Sequence, residues 1–310
     1  VVWLVSLSRI KQLFTQTQLK WIGVMFHIKD EYLNDLEVNP WLRFRNRIIR
    51  LIISPYRLTK SLFLITGALV WVALIALGIT TLSILDSLPH FEQTGFKGAV
   101  ADTQTRIESR LSNTKPPVPY KWTSIDQINR ELLYAIVMSE DGDFFSHKGI
   151  DYDALISALG ENIKRREWSL GASTISQQTI KNIYLTESKN LYRKLKEIIS
   201  VQRLEKSLTK NEILELYLNL IEFGPDIYGI HAAAKYYFNT TPKNINAAQG
   251  AFLAILMPSP RKYHFTVFQN QHFAKRHKRK YKRILQDMLY KEYISPKQYR
   301  TYLKWPFFKG

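Results

Sequence analysis

Cysteine is absent from all 310 residues, so disulfides and thiolate metal sites are excluded. This fits an oxidising or extracytoplasmic compartment without demanding one. Acidic residues are scarce: 26 Asp and Glu stand against 44 Lys and Arg, a formal net charge of +18. A chain this basic calls for an anionic partner, whether nucleic acid, phospholipid headgroups or a phosphorylated substrate. Internal repeats are missing, and so is any convincing run of period-two alternation, which argues against a β architecture. The length suits one or two domains with a real core. The chain opens on Val rather than Met, which leaves the completeness of its N-terminus open.

One stretch lacks charge altogether. Residues 61–85 (SLFLITGALVWVALIALGITTLSIL) are apolar for longer than the roughly 20 residues that cross a bilayer core. A buried core helix is the competing reading, but such helices are shorter and carry polar residues on one side. Arg43, Arg45, Arg47, Arg50, Arg57 and Lys60 precede the stretch, and Asp86, His90 and Glu92 follow it. The positive-inside rule then predicts a single-pass inner-membrane protein with a cytoplasmic N-terminus and an extracytoplasmic C-terminal part. A cleaved signal peptide is disfavoured, because the run is too long and too far from the N-terminus. With the larger basic part outside, nucleic acid drops out as a partner.

Residues 1–60 read as a basic amphipathic segment with interleaved Trp and Phe, lying on the inner leaflet or forming a small helical appendage. Residues 86–122 hold Pro89, Gly95, Gly98 and Pro116-Pro117-Val118-Pro119 and read as a linker. A mainly helical domain is expected over 123–310. Ser124 to Gln127 reads as a capping box opening a helix that ends near Glu140. A second amphipathic helix is expected over 191–207. Thr209 caps a third, and a nearly all-apolar helix stops at Pro258.

Two segments carry the chemistry. In Glu140-Asp141-Gly142-Asp143-Phe144-Phe145-Ser146-His147-Lys148-Gly149, carboxylates sit where a helix gives way to a turn. The macrodipole does not stabilise acids there, which hints at function. Taken alone, an acidic loop is equally good, and a lone His147 is an orienting group before it is a metal ligand. The second segment is Gly171-Ala172-Ser173-Thr174-Ile175-Ser176-Gln177-Gln178-Thr179-Ile180-Lys181-Asn182. Ser173, Gln177 and Lys181 fall at i, i+4 and i+8, with Thr174 and Gln178 in the next row. Hydroxyls, amides and one ammonium on a helix face suit sugar hydroxyls and phosphate. A solvated polar face is the plain alternative. Downstream, Lys189, Arg193, Lys196 and Glu197 make a cationic stripe with one carboxylate, or merely an i,i+4 ion pair.

These segments resemble the signature motifs of the family 51 glycosyltransferases, the peptidoglycan glycosyltransferases that polymerise lipid II. The first matches E-D-x-x-F-x-x-H-x-G at every fixed position. The second matches G-G-S-T-I-x-Q-Q-x-x-K-N with Ala172 in place of the second Gly. Arg193-Lys194-Leu195-Lys196-Glu197 is similar to R-K-x-x-E. The segments from Lys210 to Asn219 and from Ala232 to Phe238 resemble the fourth and fifth motifs, with Lys235 where Gln is often found.

The resemblance implies a lysozyme-like helical fold of the monofunctional, biosynthetic kind. It implies Glu140 as general base with Asp141 in support, and Glu197 as a further catalytic carboxylate. Ser173, Thr174, Gln177, Gln178, Lys181, Asn182, Lys189, Arg193 and Lys196 would bind substrate. No cofactor is obligatory, and a divalent cation, Mg2+ or Mn2+, near Glu197 is left open. Implied partners are lipid II, the growing strand on undecaprenyl diphosphate, membrane lipids and cell-wall synthesis or division proteins. Residues 150–170 would be a membrane-facing jaw, against an ordinary amphipathic helix on the core. The basic run from Lys275 to Arg283 would meet anionic headgroups or simply solvent. Two S-x-x-K spacings, at Ser207 and Ser259, lack a following K-T-G, so a penicillin-binding transpeptidase is disfavoured. A glycan-cleaving lysozyme-like enzyme and a non-catalytic membrane-anchored binding protein are the rival readings.

Overall fold

The computed structural model describes residues 40–165, 173–185 and 191–307. Lys189, residues 1–39 and the end of the expected jaw lie outside these. The described chain is almost wholly helical and divides into two units, residues 1–86 and 87–310.

In the first unit, helix α1 runs Pro40–Asp86 without a break. Its Thr59–Asp86 portion is long and apolar enough to cross a membrane. Phe63, Trp71 and Ile75 on it are all exposed, so it is not a core helix that packing has covered. Residues 40–60, read from sequence as part of a separate basic segment, continue the same helix. No Pro or Gly interrupts residues 41–54, and the helix continues through Pro55.

The second unit starts sooner than its Gly and Pro content suggests. Helix α2, Phe91–Leu111, occupies most of the expected linker. Phe91, Ala99, Thr103 and Ile107 form its buried stripe, and Gly95 (φ 60°, ψ −162°) kinks the helix instead of ending it. The expected helix start at Ser124 is only a 3-10 turn, Ile125–Gln127. Asn129 takes the capping role by accepting from Glu131 N, and helix α3 runs Arg130–Glu140.

Helices α4 (Tyr152–Arg165), α5 (Ile175–Tyr184), α6 (Leu191–Ser207) and α7 (Lys210–Leu220) follow. Strands β1 (Glu222–Gly224) and β2 (Ile227–Tyr228) make a small antiparallel ribbon. Helices α8 (Gly229–Phe238), α9 (Ala247–Leu256), α10 (Pro260–Tyr263), α11 (Lys275–Tyr290) and α12 (Pro296–Tyr302) complete the unit. Helix α9 is buried on nearly every side and packs on α3 and α11. Its apolar composition is that of a central core helix, and Asn246 closes its N-terminus in a capping box with Gln249.

Glu131 fastens this core. It accepts from Ala247 N at 2.9 Å and Tyr302 Oη at 2.7 Å, and so ties α3, α9 and α12 together. Glu215 does the same for the chain entering α3, accepting from Trp122 Nε1 and Ile125 N, each at 2.8 Å. The result is a rigid seat for the C-terminal end of α3, where the carboxylates lie.

Candidate active site

Glu140 is the last residue of α3, and its side chain is half-buried. Three groups approach it. Ser139 Oγ donates to Oε1 at 3.0 Å, Gln178 Nε2 faces Oε2 at 3.5 Å, and Lys280 Nζ lies 3.5 Å from Oε1. Gln178 is itself oriented, because Tyr217 Oη donates to its Oε1 at 3.1 Å. That bond turns the amide nitrogen toward Glu140. Tyr217 is fully buried, and burial together with the Glu140 and Asp141 charges pushes its phenol well above the ordinary value. It therefore stays a donor at any pH of interest. Burial pushes the Lys280 ammonium down, and Glu140 opposes that shift.

Asp141 plays a different part. Its buried carboxylate accepts from His147 Nε2 at 2.9 Å and from the backbone N–H of Ile175 at 2.9 Å. His147 Nδ1 accepts from Gly149 N at 3.1 Å, which puts the ring proton on Nε2, toward Asp141. Gly149 has φ +88°, and a Cβ there would lie 2.5 Å from Val201 Cγ1, so the turn requires glycine. Its carbonyl accepts from Thr174 Oγ1 at 2.6 Å. Asp141, His147, Gly149 and Thr174 thus join the first motif to the N-terminus of α5. Burial pushes the Asp141 carboxyl up, while His147 and the Ile175 N–H pull it back.

The polar face read from sequence on the second segment is divided. Ser173 precedes the helix and is exposed. Thr174 and Gln177 form a capping box, so their polar atoms serve the backbone of α5. The i, i+4, i+8 row therefore does not survive, because the helix begins only at Ile175. Gln178, Lys181 and Asn182 remain on the open side, with Lys181 exposed. The Asn182 carbonyl accepts from Arg106 and Arg110 of α2 at 3.2 and 3.1 Å. A polar cleft of about 420 Å³ is lined by Gln178, Tyr217, Asn182, Arg110, Glu222 and Arg261, among others. Within that lining, Arg261 Nε donates to Glu222 Oε1 at 2.8 Å.

Glu197 is buried on α6 and pairs with Arg193 at 3.1 Å and with Lys194. Each oxygen has a cation, and no second ligand joins it among the described residues, so this donor set does not fit a divalent metal ion. Asp141, His147 and Asp151 do cluster, but His147 Nδ1 already accepts from Gly149 N, its Nε2 carries a proton, and each Asp141 oxygen already accepts a donor. Lys196 turns away from Glu197, donating to Ser87 Oγ at 2.9 Å with its ammonium 4.8 Å from the Tyr192 ring. The stripe read along α6 thus serves two different places.

Lys280 and Tyr217 are the residues whose roles sequence reading missed. The signal for Lys280 was its spacing: it sits three residues after His277 and four before Ile284, both buried, on the inward edge of α11.

The chain matches the transglycosylase family over residues 108–289. It is 42% identical over 161 residues to the biosynthetic peptidoglycan transglycosylase of Nitrosospira multiformis, covering 52% of this chain and 70% of that protein. The protein of the same name from Chromobacterium violaceum is 41% identical over 157 residues, covering 50% and 69%. The Acinetobacter baumannii protein is 39% identical over 152 residues, covering 49% and 68%. The matched stretch holds both carboxylates, the capped α5, Glu197 and Lys280, and with it this chain belongs to the transglycosylase family.

Proposed function

We propose that this chain is a peptidoglycan glycosyltransferase that polymerises lipid II, with Glu140 as its general base. The growing glycan on its polyprenyl pyrophosphate is the donor, and the 4-hydroxyl of an N-acetylglucosamine is the acceptor. That hydroxyl is too weak an acid to ionise freely, so a base must take its proton as the new C–O bond forms. The anomeric C–O bond to pyrophosphate breaks in the same step, and the proton ends on Glu140. The observation that supports this best is the setting of Glu140: half-buried, between Gln178 and Lys280, with Gln178 also lining a polar cleft of about 420 Å³.

Pyrophosphate needs charge compensation more than protonation. Lys181, exposed on α5, provides it in this reading, and so does Lys189, which lies outside the described residues. Arg193 and Lys194 are held by Glu197, so Glu197 acts by positioning cations and not on the reacting atoms. In the same way Asp141 supports Glu140 through the backbone: it pins α5, and α5 carries Gln178.

Membrane contact follows from the substrate's lipid. Tyr152, Ile156 and Ile163 of α4 are exposed, Ile163 to 72%, so this helix does not pack on the core as an ordinary amphipathic helix would. Facing a bilayer would bury them. The basic flank ahead of the span argues for a cytoplasmic N-terminus and an extracytoplasmic catalytic unit. Turnover of labelled lipid II by the detergent-solubilised chain tests the reading: polymer supports it, and glycan fragments from finished strands would replace it with a hydrolase.

A further inference from the structure

A second cavity, of about 370 Å³, lies apart from the catalytic cleft and shares no lining residue with it. One wall is the turn Ser87–His90 with Gln93 and Thr94 of α2. The other is Tyr184 and Leu185 at the end of α5, with Lys196 and Ser200 of α6. Three bonds across the first wall hold it in place. Lys196 Nζ donates to Ser87 Oγ at 2.9 Å, Arg203 donates to the Pro89 carbonyl at 3.4 Å, and Lys206 pairs with Glu92 at 3.4 Å.

We propose that this cavity binds the headgroup of an anionic phospholipid. Four observations point there. Lys196 has no carboxylate within ion-pair distance among the described residues, so its charge is left for a ligand. Ser200 is fully buried, and its Oγ has no hydrogen-bond partner, a state a polar ligand would relieve. Leu88, Pro89 and Leu185 give the lining an apolar side that suits a glycerol backbone and the start of an acyl chain. Ser87 follows directly on Asp86, the last residue of the span-length helix, so covalent connection alone keeps this wall within reach of lipid headgroups. A site here would anchor the first turn of α2 and the start of the catalytic unit to the bilayer at a fixed depth.

The test is binding without turnover, so its result does not depend on the glycosyltransferase reading. The detergent-solubilised full chain is titrated with dioctanoyl phosphatidylglycerol, dioctanoyl phosphatidylcholine, inorganic phosphate and farnesyl diphosphate. Phosphatidylglycerol should bind at least about tenfold more tightly than phosphatidylcholine, since both offer a phosphate to Lys196 but the choline ammonium cancels the net charge and is repelled by the lysine. Lys196→Gln should weaken it roughly tenfold, and Ser200→Val by a smaller factor. Lys278→Gln, on the exposed basic face of α11, should leave it unchanged. Should Ser200→Val fail to fold, the half-buried Lys196 variant decides alone. Equal binding of the two phospholipids, or no effect of Lys196→Gln, overturns the proposal. Loss through Lys278→Gln moves the lipid site to α11. Phosphate binding as tightly as the lipid reduces the cavity to a phosphate site, and displacement by farnesyl diphosphate assigns it to the substrate's leaving group.

Discussion

Gln178 shows how much one side chain is asked to do. Its oxygen accepts from Tyr217 and its nitrogen faces Glu140, so the orientation of the amide is decided by a buried phenol. Tyr217→Phe removes only that donor. The rate of polymerisation should fall about five- to tenfold with little change in substrate affinity, the worth of one hydrogen bond. Steady-state kinetics with lipid II separate the two parameters. Lys280 gives a pH signature. Its folded value lies below that of an ordinary lysine, so its charge beside Glu140 is lost as pH rises, earlier than 10.5. Activity should carry an alkaline limb from this residue, and Lys280→Arg, which stays charged, should move that limb to higher pH. A pH–rate profile unchanged by the substitution would remove Lys280 from the account.

At the scale of elements, the question is what fastens α5 to the first motif. Asp141→Asn leaves a single acceptor oxygen for the two donors His147 Nε2 and Ile175 N. One buried donor then goes unpaired, at a cost of about 1–3 kcal/mol. Asp141 has a folded value raised by burial, so its contribution is fully present below the unfolded value and is lost as pH rises through the folded one. The wild type therefore sheds part of its advantage over Asp141→Asn between pH 3.8, the ordinary value, and the raised one. Denaturation of both proteins across that range checks the sign. Thr174→Ala removes the cap of the same helix and should cost about 1 kcal/mol.

The same elements mark what the sequence made legible. Helix α7 was readable from its Thr209 cap and its period, and α9 from a nearly all-apolar run that stops at Pro258, because local and global signals agree there. Helix α2 was not, because Gly95, Gly98 and a nearby proline run read as punctuation. What makes it a helix is tertiary: its buried stripe and the Arg106 and Arg110 bonds to Asn182. The motif residues were legible as a set, but their division of labour was not. Spacing cannot tell a capping Thr174 from a substrate-facing Gln178, nor send Lys196 to Ser87 and Arg193 to Glu197.

On the scale of the whole molecule, a span-length apolar helix and the exposed apolar side chains of α4 both belong to one chain whose proposed substrate carries a lipid. Replacing Ile156 and Ile163 together by Glu should lower activity on lipid II in vesicles at least about tenfold, since burying even one such side chain is worth about 1.5–3 kcal/mol. Thermal stability in detergent should hardly change, because both residues are already exposed. Equal activity of wild type and variant in vesicles would mean that α4 does not meet the membrane.

The most direct test of the account is polymerisation of labelled lipid II by wild type beside Glu140→Gln. The glutamine keeps the size of the side chain but takes no proton. The wild type should form strands, and the variant should lose about 10²–10⁴-fold in rate, the usual worth of a general base. Polymer from Glu140→Gln at a rate near wild type would contradict it.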